Sequence, residues 1–306
     1  MFATLLGPYP AAGEPESVDD AVRDVIEEQT SAGLEPVSDG RGPREPDAAE
    51  TAGDIADAWQ RASRFTSRAV KASMIGPYTS RAGTRRGQTR RRADPVAVLR
   101  DAIARLVASG CAFIEIEEPD AVRLADRARE QRRFIDLHRA MTADLSDRVH
   151  LSLVLTGGNV DAAGAATFFD LPYASYAFDL IAGPDNWRLI AEAPGDRGIV
   201  CGALDPASES SDRPEVLVWA AHYAASTGGR GLARVGLANA SSLGGLTRER
   251  AHRKVEALAE AARIASAEST EELAAALDPR AVDIRSAAFG KYVPPGGRPS
   301  GRRPER

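Results

Sequence analysis

The chain has 306 residues, a formal net charge of −5, 43% hydrophobic residues and 27% charged residues, a composition typical of a soluble globular protein. The mildly acidic balance predicts no nucleic acid partner, and no apolar run approaches the roughly 18 residues that a membrane helix needs. No signal peptide is recognisable, because the first apolar stretch is short and lacks a basic start. Cys111 and Cys201 lie in apolar runs and are expected to be buried free thiols, so we expect a cytoplasmic protein.

Short apolar runs alternate with longer amphipathic ones along most of the chain. The predicted strands lie at 3–7, 34–40, 70–76, 112–118, 149–155, 174–180, 198–205 and 233–239. The predicted helices lie near 17–32, 48–67, 95–109, 120–144, 160–169, 186–193, 213–227 and 247–268. Eight strand–helix units favour parallel strands that close into a single (β/α)8 TIM barrel, with an open doubly wound sheet as the alternative.

The helix predicted over 95–109 has the clearest boundaries. Asp94 is a suitable N-cap, Pro95 fits the first helical position and Gly110 ends the pattern. No Gly-x-Gly-x-x-Gly motif follows the first predicted strand, which disfavours a dinucleotide-binding version of the fold.

Two segments do not fit the alternating pattern. The basic run 84–94 is typical of a solvated loop, with an anionic partner or phosphate-rich substrate as the alternative. The segment 293–306 is rich in Pro, Gly and Arg and has almost no apolar residues, so we predict a disordered tail over 281–306. The predicted organisation is therefore one barrel over 1–280 followed by this tail.

In a (β/α)8 barrel the active site lies at the C-terminal ends of the strands. Strand alternation directs Glu115 and Glu117 into the barrel and Ile114 and Ile116 toward the helices. Inward carboxylates on an apolar strand are costly unless they are paired or used. They are expected either to pair with an arginine such as Arg41 or Arg44, or to bind substrate and act in acid–base catalysis.

Several stretches resemble motifs of one family, in the order in which that family has them. The run "GCAFIEIEEPDA" resembles Gly-x-x-x-Ile-Gln-Ile-Asp-Glu-Pro, and "MIGPYTS" resembles a Gly-Pro-x-Thr turn. Further matches are "LLGPYP", "SAGLEPVSDGRGPRE", "VLTGGN", "YAFDL", "IVCGALDPAS" and "ARVGLANASSLGGL". On these motifs the chain resembles the C-terminal catalytic barrel of cobalamin-independent methionine synthase and its shorter relatives, which include archaeal methyltransferases and coenzyme M transferases.

The resemblance implies a zinc ion, held by a His, two Cys and a Glu, that activates a thiol acceptor. At those positions this sequence has Val154, Thr156, Ser242 and Asp179. Hydroxyl groups are poor zinc ligands, so we predict no zinc and no other cofactor, and the methyl donor (a folate, a corrinoid or neither) stays open. A shifted alignment, in which His150 and Ser152 take the His-x-Cys positions, is the alternative.

The resemblance also shows a change of charge at the site. Arg41 stands where the family has a Glu that helps to hold an amino group of the acceptor, and Glu117 stands where it has an Asp. Arg41 favours an anionic group, such as a carboxylate or phosphate, through forked hydrogen bonds. The alternative is that Arg41 simply pairs with Glu117 or Asp39.

These observations predict an enzyme of methyl or one-carbon transfer type, without the usual zinc, that acts on a small anionic or thiol substrate. The predicted catalytic residues are Glu117 and Asp179. The predicted substrate-binding residues are Gly7, Tyr9, Asp39, Arg41, Tyr78, Glu118, Thr156, Asn159, Asn239 and Ser242. The alternatives are a non-catalytic barrel that binds or senses a small molecule, and a methionine synthase with atypical zinc ligands. The sequence leaves the oligomeric state open.

Overall fold

The computed structural model describes residues 1–11, 17–41, 51–83, 94–208, 212–267 and 272–273. Most of the basic run, Arg44 and the predicted tail 281–306 lie outside the described residues. The division of the chain at residue 280 therefore stays a prediction.

Parallel strands and helices alternate along the described chain. The strands are β1 (Phe2–Ala3), β2 (Ala72–Ile75), β3 (Phe113–Glu117), β4 (His150–Leu155), β5 (Ser175–Asp179), β6 (Gly198–Leu204) and β7 (Val235–Asn239). The helices are α1 (Val18–Ala32), α2 (Ala52–Ser63), α3 (Pro77–Gly83), α4 (Pro95–Ala108), α5 (Ala128–Thr142), α6 (Ala165–Phe169), α7 (Trp187–Glu192), α8 (Pro214–Ser226) and α9 (Arg248–Ala265).

The strands form one parallel sheet in the order β1-β7-β6-β5-β4-β3-β2. The segment 34–38 connects the two edges of this sheet. On one side the Glu35 backbone N–H donates to Ala3 O, and on the other side the Lys71 N–H donates to Val37 O at 2.9 Å. The predicted α/β barrel is thereby confirmed, and its C-terminal strand ends form one rim, here called the mouth.

The second predicted strand, 34–40, is less regular than its pattern indicated. It is reduced to an isolated parallel bridge between Val37 and Val70. Pro36 lacks the N–H that a continuous ladder requires, and Gly40 turns the chain away with a φ of +66°. The short helix α3, directly after β2, is an addition to the predicted helices.

Local signals account for the starts of several helices. Asp94 accepts a hydrogen bond from Val96 N, with Pro95 in the first turn of α4, as predicted. Ser17 caps α1, and Thr51 with Asp54 forms a reciprocal capping box at the start of α2. The capping contacts at these helix starts join residues only two or three positions apart, so the local sequence is enough to locate the starts.

Alternation along the strands separates two apolar cores. Leu151, Leu153 and Leu155 of β4 pack in the large core between the strands and the helices. Val154, on the opposite face of β4, belongs to a small cluster inside the barrel with Leu6, Ala177, Val200 and Ala238. The barrel interior is therefore filled with side chains below the mouth.

The described residues confirm both cysteines as buried free thiols, and burial raises the pKa of the Cys111 thiol to about 11. Among the helices of the described ranges, none combines the length and the apolar character required to cross a bilayer.

Candidate functional site

Arg41 and Glu117 meet at the mouth, as one of the two sequence alternatives predicted. Arg41 follows the segment 34–38, and Glu117 is the last residue of β3. Arg41 Nη2 lies 2.5 Å from Glu117 Oε1, and the two side chains are 14% and 9% exposed. Arg41 has a φ of +45°, and its backbone N–H donates to Asp39 Oδ1 at 3.1 Å. The Asp39 turn thus orients the arginine toward the end of β3.

The Arg41–Glu117 contact is an ion pair without the alignment of a hydrogen bond. Within the described part of the chain, Arg41 Nε, Arg41 Nη2 and Glu117 Oε1 are shielded from solvent and have no aligned hydrogen-bond partner. Buried polar atoms in folded proteins are nearly always paired, so an exception such as this one requires an explanation. An additional group that binds at the pair is one such explanation.

A second buried ion pair lies deeper in the barrel, below Glu117. Lys71 Nζ contacts Glu115 Oε1 at 2.7 Å and donates to Leu5 O, while Ser73 Oγ donates to the other Glu115 oxygen. Lys71 thereby links the ends of the sheet and neutralises Glu115. The expected partner of the inward glutamates was an arginine, whereas Glu115 pairs with Lys71. Lys71 and Ser73 are two residues apart, so strand alternation directs both side chains into the barrel, and the sequence could have revealed Lys71 on this ground.

The surroundings of Glu117 disfavour its ionised form. Burial is the largest cause of the raised Glu117 pKa, and repulsion from Glu115 adds to it, whereas Arg41 and Lys71 lower it. Glu117 therefore holds a proton more readily than an exposed glutamate does. A carboxyl group whose pKa is raised by burial and a nearby like charge is a candidate for general acid–base chemistry.

Glu118, the next residue, faces the helix layer and has a full set of donors. Its carboxylate accepts hydrogen bonds from the backbone N–H groups of Tyr78 and Thr79, and from Thr79 Oγ1 at 2.6 Å. A Cβ on Gly76 would lie 2.2 Å from Glu118 Oε1, so only glycine fits the turn before α3. This contact explains the Gly-Pro-x-Thr stretch and the α3 helix that the pattern did not reveal.

His138 of α5 completes the surroundings of Glu118. Its Nε2 lies 3.1 Å from Glu118 Oε1, and its Nδ1 shares a hydrogen bond with the Tyr173 hydroxyl. The imidazole is fully buried and packs against Phe134 with a ring-centroid distance of 4.1 Å. His138 is thus a packing residue.

Asp179, at the end of β5, binds two loops through backbone groups. Its carboxylate accepts from Gly157 N at 3.0 Å, and from Ile181 N and Ala182 N at 2.9 Å each. Burial raises the Asp179 pKa, and these hydrogen bonds partly oppose the rise. The positive φ angle of +90° at Gly157 directs its N–H toward the carboxylate.

Three further predicted residues join loops at the mouth. Asn159 exchanges two hydrogen bonds with Asp185, through its side-chain N–H₂ and its carbonyl oxygen. Asn239 accepts from Leu6 N and donates to Leu6 O, so it holds β1 against β7. Ser242 Oγ donates to Pro8 O at 3.2 Å, beside Gly7, whose φ is +70°.

Two predicted tyrosines contact helices with their hydroxyl groups. Tyr78 donates to Glu130 Oε2 at the start of α5, and burial raises the pKa of Tyr78 to about 12. Tyr9 donates to Glu28 of α1, with Arg248 of α9 over its ring. Thr156, in contrast, is half-buried after β4, and its hydroxyl has no hydrogen-bond partner among the described residues.

The four positions at which the resemblance implies zinc ligands do not offer zinc a suitable set of donors. Val154 lies in the apolar interior cluster, and both Asp179 oxygens already accept backbone hydrogen bonds. The Ser242 hydroxyl is engaged with Pro8 O and Gly244 N. Across the described ranges, no three His, Cys, Asp or Glu side chains gather where they could hold a metal ion.

No protein-family profile and no curated protein sequence matches the chain. Solved structures do resemble it. A B12-independent methionine synthase from Shewanella sp. W3-18-1, in complex with selenomethionine, has a TM-score of 0.67 and 15% identity over 89% of this chain and 98% of its own. A Listeria monocytogenes protein assigned as a vitamin-B12-independent methionine synthase has a TM-score of 0.59 and 13% identity over 87% of this chain and 99% of its own.

The likeness extends to an enzyme with a different name. A GH5_18 protein from Streptomyces cattleya, in complex with GlcNAc, has a TM-score of 0.52 and 16% identity over 91% of this chain and 82% of its own. At such identities the likeness reports the fold and not the reaction. The chain is accordingly an α/β barrel whose architecture is similar to that of methionine-synthase-like proteins.

Proposed function

We propose that this chain is a divergent member of the methionine-synthase-like barrels and an enzyme of methyl or one-carbon transfer type that acts without zinc. Its substrate is a small molecule that carries an anionic group or a thiol. The Arg41–Glu117 pair carries the proposal, because it is a buried charge pair at the mouth with donors that lack aligned partners.

Arg41 has the role of holding an anionic group of the substrate. A guanidinium presents two parallel N–H donors that match a carboxylate or phosphate. Glu117 has the role of acid or base, since burial raises its pKa and so favours the protonated form more than in an exposed glutamate. In the absence of zinc, Glu117 is the group beside Arg41 that can exchange a proton with the substrate.

Asp179 has a positioning role in this proposal. Its carboxylate oxygens already accept hydrogen bonds from Gly157, Ile181 and Ala182, which fixes the loops after β4 and β5. Thr156, next to Gly157, then faces the substrate with a free hydroxyl. Asp179 therefore acts on the substrate through these loops.

A second candidate is a barrel that binds or senses a small molecule without turnover. The observation that favours it is the engagement of other predicted site residues in hydrogen bonds that hold the protein together. Glu118, Asn159 and Asn239 all bond within the chain. Methionine synthesis with atypical zinc ligands is a third candidate, against which the donor set argues.

The first experiment screens purified protein by thermal shift with methionine, homocysteine, folates and corrinoids, and then measures methyl transfer to homocysteine from methyl-folate and methyl-corrinoid donors. Turnover that is lost in Glu117→Gln and Arg41→Ala, but kept in the surface variant Arg105→Ala, is expected. Binding without turnover under any donor would favour the sensing barrel.

Elemental analysis separates the zinc candidate. We expect substoichiometric zinc in protein purified without chelators. Stoichiometric zinc that is lost in Asp179→Asn would contradict the metal-free proposal, provided that circular dichroism shows the variant to be folded.

A further inference from the structure

On the side of the Arg41 guanidinium that faces Glu117, one of the two N–H donor groups contacts the carboxylate and the other has no partner among the described residues. Nε and Nη2 form one edge of a guanidinium, and this edge accepts a carboxylate or phosphate through two parallel hydrogen bonds. Glu117 Oε1 contacts Nη2 at 2.5 Å, whereas Nε has no hydrogen-bond partner in the described part of the chain. An anion that takes both donors must therefore displace Glu117 from Nη2.

We infer that an anionic substrate group displaces Glu117 from Arg41, and that the released carboxylate takes up one proton from solvent. This inference rests on the proposed anion site and adds a linkage between binding and the charge of Glu117. The bound anion neutralises Arg41, and the neutral Glu117 carboxyl group then lies beside it as a hydrogen-bond donor and general acid. The only bond formed is the O–H bond of Glu117.

The charged groups around Glu117 explain why the proton is taken up. From the loop after 34–38, Arg41 faces it, with Asp39 bonded to the Arg41 backbone. From its own strand Glu115 repels it, and from the residue before β2 Lys71 attracts it. Because Lys71 is already paired with Glu115 at 2.7 Å, it cannot replace Arg41 as the partner of Glu117.

The remaining neighbours of Glu117 offer no compensation. On β4 the residue in register with it is Val154, an apolar residue of the interior cluster. Glu117 is buried, with 7% of the whole residue exposed, so water does not solvate its charge well. With Arg41 occupied by an anion, the ionised carboxylate would face a second negative charge in a poorly solvated place.

Sulfate is the probe for the test, because it stays fully ionised across the neutral range and chloride can keep the ionic strength constant. Sulfate affinity is measured from the thermal shift of the full chain between about pH 6 and pH 8.5. Wild-type affinity is expected to fall by up to about tenfold per pH unit as the pH rises, since one proton accompanies binding. Glu117→Gln, which imitates the neutral form, should bind more tightly at high pH and show no such dependence.

An infrared difference spectrum of the wild type, with and without sulfate, gives a second readout that does not depend on a variant. Binding should produce the C=O band of a protonated carboxyl group. The same band should be absent in Glu117→Gln and in Arg41→Ala, and present in Arg105→Ala, which removes an exposed arginine paired with Asp101.

The outcomes distinguish the inference from the function on which it rests. Sulfate binding that requires Arg41, but has the same pH dependence in the wild type and Glu117→Gln and produces no carboxyl band, overturns the proton uptake and leaves the anion site standing. Sulfate binding that Arg41→Ala does not weaken, or no binding at all, overturns both.

Discussion

Glu117 and Glu118 are consecutive residues at the end of one strand, yet their carboxylates lie in opposite environments. Glu118 faces the helix layer, where two backbone N–H groups, the Thr79 hydroxyl and His138 surround it. Glu117 faces the barrel, where Arg41 is its sole close partner among the described residues. Both are buried, so burial alone does not distinguish a structural carboxylate from a candidate catalytic one. The number and kind of donors around each does.

Asp179 belongs with Glu118 in this comparison, because backbone N–H groups satisfy it. Backbone donors are fixed by the fold and do not leave when a ligand arrives, whereas an arginine side chain can change partner. Among the described residues of the mouth, Glu118 and Asp179 thus bond to backbone groups, whereas the partner of Glu117 is the Arg41 side chain. The two groups of carboxylates should therefore respond differently to substitution.

Glu118→Ala should lower the free energy of unfolding by about 3–5 kcal/mol, because it removes a charged acceptor and leaves buried donors unpaired. Urea denaturation measures the change. The control is Glu130→Ala, which removes a half-buried carboxylate bonded to the Tyr78 hydroxyl and should cost less than about 1 kcal/mol. Equal losses in the two variants would contradict the structural assignment of Glu118.

Asp179→Ala should lower the free energy of unfolding by about 2–4 kcal/mol, since three backbone N–H groups lose their acceptor. Asp179→Asn keeps one acceptor oxygen and should lose roughly half as much. Amide hydrogen exchange at Gly157, Ile181 and Ala182 should accelerate in parallel. Unchanged hydrogen exchange at these amides would contradict the role of Asp179 in holding the loops after β4 and β5.

Arg41→Ala should weaken binding of an anionic ligand by about 10- to 100-fold, because the forked donor edge is lost. Arg41→Lys retains the charge without the fork and should show an intermediate loss. Isothermal titration with the best ligand of the thermal-shift screen measures both variants. Equal affinity in the lysine variant and the wild type would show that charge suffices without the fork.

The stability of Glu117→Gln relative to the wild type should depend on pH. The folded-state Glu117 pKa is raised above its ordinary value of 4.5, so its contribution to stability is fully present below that value and is lost as the pH rises to the folded-state pKa. The Tm difference between the variant and the wild type should therefore grow across this window, by about 2–4 °C for each 1 kcal/mol. A Tm difference that shrinks with rising pH would mean that Arg41 outweighs burial.

Thr156→Val should have the smallest effect on the protein itself, within about 0.5 kcal/mol, because the Thr156 hydroxyl bonds to no described residue. If this hydroxyl contacts the substrate, the same change should weaken binding by about 5- to 10-fold, as expected for one hydrogen bond. Thermal denaturation and ligand titration of one preparation provide both values. A large loss of stability would assign Thr156 to the structural group.

Much of the fold follows from local and periodic features of the sequence. Asp94 and Pro95 start α4 through contacts within one turn, and the alternation of Leu153 and Val154 separates two cores because strand side chains point in opposite directions. The inward direction of Glu115 and Glu117 was predictable for the same reason. The irregular segment 34–38 was not, because its bonds to β1 and to Lys71 join residues distant in the chain.

The sequence by itself determined the alternation of strands and helices that makes an α/β barrel and the residues expected at the C-terminal strand ends, since strand–helix succession and side-chain alternation are local properties repeated along the chain. The tertiary structure alone decided which of these residues form hydrogen bonds or ion pairs within the protein. Lys71 pairs with Glu115 across 44 positions, and Glu118 receives the N–H groups of Tyr78 and Thr79 across 40 and 39. Such contacts depend on how distant strands and loops pack, and among the described residues of the mouth they leave Arg41, Glu117 and Thr156 with bonding capacity that no neighbour uses.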